Sequence, residues 1–186
     1  MGSRAVKIYG LILVASAAAA LSVAAAQGLQ SDRVAQRQQD MKAMAAAAKT
    51  INAMFKGSSA YDAKAFKAAA DIESHSAKSL SSLFAGSVTA PGSKASASIE
   101  AEREQFDKLA ADLGVYASAV SAAADRNPDA LSPQMRMQGG DAMMGGPLAK
   151  KTQAARDVAS MPAEHAFHLM LQTCTSCHAK FRTKDE

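Results

Sequence analysis

Apolar residues recur at steps of three and four along most of this 186-residue chain, a periodicity typical of amphipathic helices. Alanine, leucine, methionine, lysine and glutamine are plentiful. The β-branched and aromatic residues that favour strands are sparse, and aromatic residues make up only 5% of the chain. The sequence therefore predicts an all-α protein.

The charge pattern argues against one class of partner. The formal net charge is +4, and no long block of a single sign occurs. A nucleic-acid-binding tail would need such a block. We therefore expect no nucleic-acid partner.

The first 26 residues have the order of a secretory signal peptide. Arg4 and Lys7 precede an apolar run over residues 8–23, and three alanines stand before Gln27. The strongly apolar part covers about 16 residues, fewer than the roughly 20 that a membrane-spanning helix needs. We expect residues 1–26 to be cleaved, and residues 27–186 to be exported to the periplasm without a stable membrane anchor.

Four long helical stripes follow, separated by helix-breaking segments. The first helix has Ser31 as its predicted cap and ends at Gly57, and Glu73 interrupts the apolar face of the second. The third covers about residues 99–124, and Pro162 marks the first turn of the last. The predicted inward stripe of the first helix is Val34, Gln38, Met41, Ala45, Ala48, Ile51 and Phe55. Four helices of this length predict an antiparallel up-and-down bundle.

A break in composition separates the third helix from the last. Residues 128–147 contain two pairs of glycines and four methionines without a helical stripe. Residues 148–159 fit a short helix. We therefore expect one bundle domain over residues 27–186, with an irregular insertion, a long loop, at about residues 128–159.

The last helix carries the strongest chemical signal. Its two cysteines, Cys174 and Cys177, are followed directly by His178, and Cys-Thr-Ser-Cys-His is the attachment signature of a c-type haem. On a helix, Cys174 and Cys177 lie roughly 60° apart and His178 lies roughly 40° from Cys174. All three side chains can therefore face one macrocycle. We expect the two sulfurs to hold the haem covalently and His178 to bind its iron.

Three other interpretations of the cysteine pair are weaker. A disulfide-exchange motif normally lies near a βαβ pattern, which is lacking here. A structural zinc site usually needs four Cys or His ligands, and the chain has no further cysteine to complete one. A structural disulfide would leave His178 at that spacing unexplained.

With this motif at the end of a four-helix pattern, the chain resembles the class II c-type cytochromes. These are the cytochrome c′ family together with its low-spin, methionine-ligated relatives. The resemblance covers most of the mature chain. It rests on Arg37-Gln38, Met41-Lys42, Lys49, Ile51, Met54, Lys56-Gly57 and Tyr61-Asp62, and on Phe167, the haem motif and Phe181-Arg182. It implies a four-helix bundle with one covalently bound haem c.

Two features depart from the family pattern. The insertion at about residues 128–159 stands where family members usually have a short turn, and the usual Trp before the third helix is absent. These departures concern partner contacts more than haem attachment.

The resemblance places Met41 over the haem face opposite His178. If its sulfur binds iron, the site is six-coordinate and low-spin, with a raised reduction potential that suits electron transfer. If the sulfur only packs over the ring, the iron is five-coordinate and can bind NO or CO. A methionine on a helical stripe is also an ordinary core residue. We expect an electron carrier rather than an enzyme, with gas binding as the alternative.

Two arginines are weaker candidates for contact with the haem. Arg37, one turn before Met41, could pair with a propionate, although a solvated arginine is the ordinary interpretation. The resemblance implies that Arg182 lies near the ligand imidazole of His178, and its ordinary role would be to complement the helix terminus.

The expected partners are redox proteins and, in the alternative, NO or CO. The resemblance also implies a homodimer, often through the first two helices. Ala43, Ala46 and Ala47, predicted on the outer side of the first helix, would permit close helix approach, although alanine needs no interface to explain it.

Overall fold

A computed structural model describes residues 30–86, 88–137, 158 and 160–184. The four long helices in these ranges are α1 (residues 30–55), α2 (Ala63–Leu83), α4 (Arg103–Arg126) and α5 (Ala163–Phe181). A short helix, α3 (Ser98–Ala101), precedes α4, and a 3₁₀ turn, Pro133–Met135, follows it. Extended pairing in the described ranges is limited to one antiparallel bridge between Ala95 and Arg182. The all-α prediction is confirmed.

Cross-helix contacts show that successive long helices run antiparallel. Three side-chain hydrogen bonds join α2 to α4, and along them the residue number rises in α2 as it falls in α4. The pairs are Lys67 with Asp125, Ser74 with Ser118, and Ser81 with Asp107. The start of α4 likewise meets the end of α5, where the Phe106 and Phe181 ring centroids are 5.5 Å apart. The predicted up-and-down bundle is therefore confirmed.

Local signals set most of the helix ends. Gly57 closes α1 with a φ of +69°, a left-handed conformation that glycine adopts without a Cβ clash, and its N–H donates to Met54 O at 3.1 Å. Asp62 caps α2 because its Oδ1 accepts from the N–H of Ala65 at 2.8 Å. The predicted cap Ser31 is wrong, since residues 30 and 31 are already helical.

Two aromatic clusters fill opposite ends of the bundle core. At one end Phe55 lies 5.3 Å from Phe66 and 5.7 Å from Phe167, between ring centroids. At the other end Phe106 lies 5.2 Å from Phe84 and 5.5 Å from Phe181. All six rings are buried, and each cluster joins three helices or their ends.

The buried face of α1 differs from the predicted stripe. Gln38 and Ala45 are exposed, whereas Met44 and Met54 are buried in the core. Ala47 is also buried, at 4% exposure, so its predicted place on the outer side of the helix is wrong. Ala43 and Ala46 are exposed as expected.

The predicted third helix is divided in two. At Glu102 the backbone leaves helical geometry, with φ −125° and ψ 45°, and this residue separates α3 from α4. Ile99 on α3 is 1% exposed. The short helix thus buries its apolar residue on the far side of this break.

Several predictions fall wholly or partly outside the described residues. The signal peptide over residues 1–26 lies outside them, and so does the short helix predicted over 148–159, except for the helical, buried Val158. Of the predicted insertion, the 3₁₀ turn is described, and it buries Met135. In the described part of the chain, no helix is both long and apolar enough to cross a membrane.

Candidate haem site

Helix α5 brings the Cys-Thr-Ser-Cys-His motif to the bundle end that holds Phe84, Phe106 and Phe181. Cys174 and Cys177 are half-buried and form no disulfide with each other, while His178 is exposed on the same stretch of helix. Two adjoining cavities open beside the motif. They share five lining residues: Met41, Ala45, Phe106, Cys177 and His178.

The larger cavity, of about 380 Å³, lies between α1, the segment over residues 93–99 and the end of α5. Its walls combine apolar side chains with cationic ones. The apolar lining includes Val34, Ile99 and the three phenylalanines of this end, and the cations are Arg37, Lys42, Lys94 and Arg182. An apolar slot edged by cations suits a flat macrocycle that carries two carboxylates.

The smaller cavity, of about 180 Å³, extends into the bundle core. Most of its lining is apolar, with Leu80 from α2 and Leu109 and Leu113 from α4, and Cys174 lines it from α5. The carboxyl of Glu73 is the one acidic group among its lining residues.

Met41 and His178 lie on helices from opposite ends of the chain, and both line both cavities. Met41 is half-buried, and its side of α1 lines both cavities. Gln38 and Ala45, which share the predicted stripe, are exposed and also line the larger cavity. This part of the stripe therefore faces the cavities, whereas its last residue, Phe55, packs in the bundle core.

Burial adjusts the protonation of the motif. It raises the pKa of the Cys174 thiol to about 12, with a smaller contribution from the nearby Glu73 carboxylate, and it also raises the pKa of Cys177. For His178, partial burial and the positive charge of Arg182 lower the pKa. Both effects favour the neutral form of the imidazole, which is the form that binds metals.

The arginines of the larger cavity have defined places. Arg37 is buried, and its Nε donates to Leu83 O at 2.8 Å while its Cζ lies 4.6 Å from the centroid of the Phe84 ring. Part of its donor capacity therefore holds the turn that follows α2. The prediction that Arg37 pairs with a propionate is not tested by these contacts.

Arg182 lies where α5 meets the segment over residues 93–98. The N–H of Ser96 donates to Phe181 O, and the N–H of Thr183 donates to Lys94 O, both at 2.9 Å. Together with the bridge between Ala95 and Arg182, these bonds fix the cationic side of the larger cavity to the end of the haem-motif helix.

All six residues predicted for the site line one or both cavities: Arg37, Met41, Cys174, Cys177, His178 and Arg182. Sequence reasoning missed Glu73 as a site residue, although its interruption of an apolar stripe was visible. It also missed Lys94, which has no sequence signal because it lies in a loop that pairs with the end of α5.

The chemistry of this arrangement fits a covalently attached haem c. Two thiols, an imidazole and a thioether converge on adjoining apolar cavities, and cationic side chains line the larger of them. These are the groups that a c-type haem needs for covalent anchoring, axial ligation and propionate pairing.

Comparison with known proteins gives the same family. The family model described as cytochrome c′ matches residues 32–141, more than half of the chain. No curated protein sequence matches.

Solved structures of cytochromes c′ share the fold. The protein from Rhodopseudomonas palustris is 26% identical, with a TM-score of 0.57 over 83% of this chain and 98% of that one. The protein from Thermochromatium tepidum is 22% identical, with a TM-score of 0.54 over 83% and 97%. Ferric cytochrome c′ from Alcaligenes xylosoxidans is 20% identical, with a TM-score of 0.57 over 84% and 97%. The chain therefore belongs to the cytochrome c′ family and binds one covalently attached haem c.

Proposed function

We propose that this protein is an exported electron carrier with a single haem. In this proposal Cys174 and Cys177 form the two thioether bonds, and His178 and Met41 bind the iron from opposite sides. The observation that carries the proposal is that Met41 and His178, from α1 and α5, line the same two cavities. A histidine–methionine pair raises the reduction potential of haem iron, which suits electron transfer.

The use of both cysteines in haem attachment supports a carrier rather than an enzyme. In this proposal Cys174 and Cys177 serve only as covalent anchors of the haem. Once both sulfurs are in thioether bonds, neither remains for catalysis. We assign no catalytic residue to this chain.

The cations of the larger cavity have two proposed roles. Arg182 and Lys94, joined through the backbone of their segments, pair with the haem propionates. Arg37 adds positive charge from the buried side while it holds the turn after α2. The exposed Lys42, together with these groups, favours a redox partner with an acidic docking surface, because opposite charges speed encounter.

Binding of NO or CO at a five-coordinate iron is the second candidate function. The family model and the solved structures described above are all cytochromes c′, the class of this alternative. In this case the Met41 sulfur packs over the ring without binding iron. Its bulk would then restrict the open position to small ligands.

Optical spectra of the haem-loaded mature protein separate the two candidates. A sharp α band in the reduced state and no response to CO support ligation by Met41 and electron transfer. A broad high-spin spectrum that shifts fully with CO supports gas binding.

Two variants sharpen this test. Met41→Ala converts a low-spin spectrum to a high-spin one if the sulfur binds iron, and leaves the spin state largely unchanged if it does not. Met54→Ala is the matched control, because Met54 is buried on the same helix but lines neither cavity. A spin change in both variants would point to loosened packing rather than to a lost ligand.

Export and assembly complete the proposal. We propose that residues 1–26 are removed on transfer to the periplasm, and the mass of the secreted protein checks a mature start at Gln27.

A homodimer through the α1 side that bears Ala43 and Ala46 is also proposed, since both residues are exposed. Analytical sedimentation over a series of protein concentrations measures this. A monomer at every concentration would contradict the proposed dimer.

A further inference from the structure

Glu73 is a buried acid in the core of the bundle. It lies in the middle of α2, and its exposure is 1%. Its Oε2 atom has no hydrogen-bond partner among the described residues. A buried acid with an unpaired carboxyl oxygen is costly to ionise, and no ion pair with another described residue explains its presence.

The side chain lines the smaller cavity, which Met41 and His178 also line. α1 and α4 face it there with uncharged residues, among them Met44 and Leu113. The other titratable lining groups come from α5 and are Cys174, Cys177 and His178. Among the residues that the structure describes, neither a lysine nor an arginine lines this cavity.

Haem attachment would convert both thiols of the smaller cavity to thioethers, and His178 would bind the iron. Glu73 would then be the main group lining this cavity that can exchange a proton. The four cations of the site, Arg37, Lys42, Lys94 and Arg182, line the larger cavity instead. α2 supplies neither proposed iron ligand, so the carboxyl can change its charge without changing the coordination.

We propose that Glu73 is a redox-linked proton site, which binds a proton when the haem is reduced and releases it when the haem is oxidised. This inference rests on the proposed electron-carrier function. On reduction, one electron arrives from the redox partner, and one proton from solvent forms the O–H bond of the Glu73 carboxyl. On oxidation the electron leaves, that O–H bond breaks, and the proton returns to solvent.

The physical reason is charge compensation at low dielectric. The oxidised centre carries one more positive charge than the reduced one, and a nearby buried carboxylate interacts with that charge strongly because little solvent screens it. Oxidation therefore favours the carboxylate and reduction favours the acid. Linkage requires the converse, that deprotonation of Glu73 lowers the reduction potential.

The pKa of Glu73 lies in the range in which a change in the haem charge would alter its protonation. Burial raises the pKa of the carboxyl from 4.5 to about 7. A group poised there changes its proton occupancy near neutral pH when a neighbouring charge changes. An ordinary surface glutamate would stay ionised in both redox states.

The test measures the reduction potential and proton uptake of the haem-loaded protein from about pH 5 to about pH 9. In the wild type we expect the potential to fall as pH rises, and reduction to take up as much as one proton per electron. Glu73→Gln should remove most of this uptake while it keeps a reversible one-electron couple. Glu100→Gln is the matched control, because Glu100 is exposed and lines neither cavity.

Infrared difference spectroscopy gives a second, direct measurement. The reduced-minus-oxidised spectrum of the wild type should contain the C=O band of a protonated carboxyl, and this band should be absent in Glu73→Gln. Glu73→Leu, which places an apolar side chain against Leu80 and Leu113, serves if the amide variant does not fold.

The outcomes distinguish this inference from the function on which it rests. A reversible couple with the same pH dependence and the same infrared spectrum in wild type and variants would overturn the role of Glu73 and leave the electron carrier intact. A protein without a reversible couple, or one that binds CO fully at an open iron position, would overturn the proposed function and this inference with it.

Discussion

The guanidinium carbon of Arg37 lies 4.6 Å from the centroid of the Phe84 ring, although α1 and the turn after α2 are far apart in the sequence. The same side chain donates to Leu83 O at 2.8 Å and to Val88 O at 3.4 Å. One buried arginine thus stacks on an aromatic wall of the larger cavity and satisfies two backbone carbonyls of the adjoining turn. Both residues of this contact line the larger cavity.

Arg37→Ala should destabilise the fold by about 2 kcal/mol, because it leaves those two carbonyls without their donor and uncovers the Phe84 ring. The measurement is urea unfolding. Arg33→Ala is the matched control, since Arg33 is one turn earlier and exposed, and its single bond to Ala85 O at 3.2 Å should be worth less than about 0.5 kcal/mol. Equal losses for the two variants would contradict the tethering role of Arg37.

Removal of the α2 cap should cost about 1 kcal/mol. Asp62→Ala leaves the N–H of Ala65 without the carboxylate oxygen that now accepts from it at 2.8 Å. Asp62→Asn keeps a side-chain acceptor and should lose much less. Thermal unfolding followed by circular dichroism compares the two, and a full loss in both variants would show that the charge rather than the bond matters.

The aromatic cluster at the end away from the motif should contribute to stability and not to the haem spectrum. Phe66→Ala removes a fully buried ring that touches Phe55 and Tyr61, and should cost about 3 to 5 kcal/mol. The spin state should not change, since Phe66 lines neither cavity. A shifted optical spectrum in a folded Phe66→Ala protein would show that the two ends of the core are coupled.

The stability of the protein should depend on pH through Glu73. Burial raises the pKa of its carboxyl from 4.5 to about 7, so the folded state holds the proton over a range in which the unfolded state has lost it. The free energy of unfolding should therefore fall as pH rises from about 4.5 to about 7, by on the order of 3 kcal/mol, and stay low above this range. The Glu73 contribution is fully present below pH 4.5 and lost above pH 7.

Unfolding of wild type and Glu73→Gln at a series of pH values measures this effect as a difference, which cancels the other titrating groups. The free energy of unfolding of Glu73→Gln should not fall between the unfolded-state and folded-state pKa values of Glu73. Parallel curves for the two proteins would show that Glu73 has the same pKa in the folded and unfolded states.

Much of the site was visible in the sequence because its chemistry is local. Cys174, Cys177 and His178 fall within five positions of one helix, and helical geometry alone places them on one side. Met41 came from the family resemblance, and its cavity-lining place agrees with it. The placement of Glu73 and Lys94 depends on neighbours distant in sequence, which periodicity does not identify.

The buried face of α1 shows a limit of prediction from local sequence patterns. The spacing of apolar residues correctly predicts a helix that ends at Gly57, because periodicity and a left-handed glycine are local properties. The spacing does not say which face another helix will cover. Gln38 and Ala45 were therefore predicted inward and are exposed, while Ala47 was predicted outward and is buried.

The sequence by itself thus determined the four long helices and the haem motif, since each depends on residues a few positions apart, and the number and length of the helices predicted their antiparallel bundle. Only the tertiary structure decided that Met41 and His178 line the same cavities, that Arg37 is buried against Phe84, and that Glu73 is enclosed beside the motif. Burial and desolvation are set by the elements that pack around a residue. Those elements meet only when the whole chain has folded.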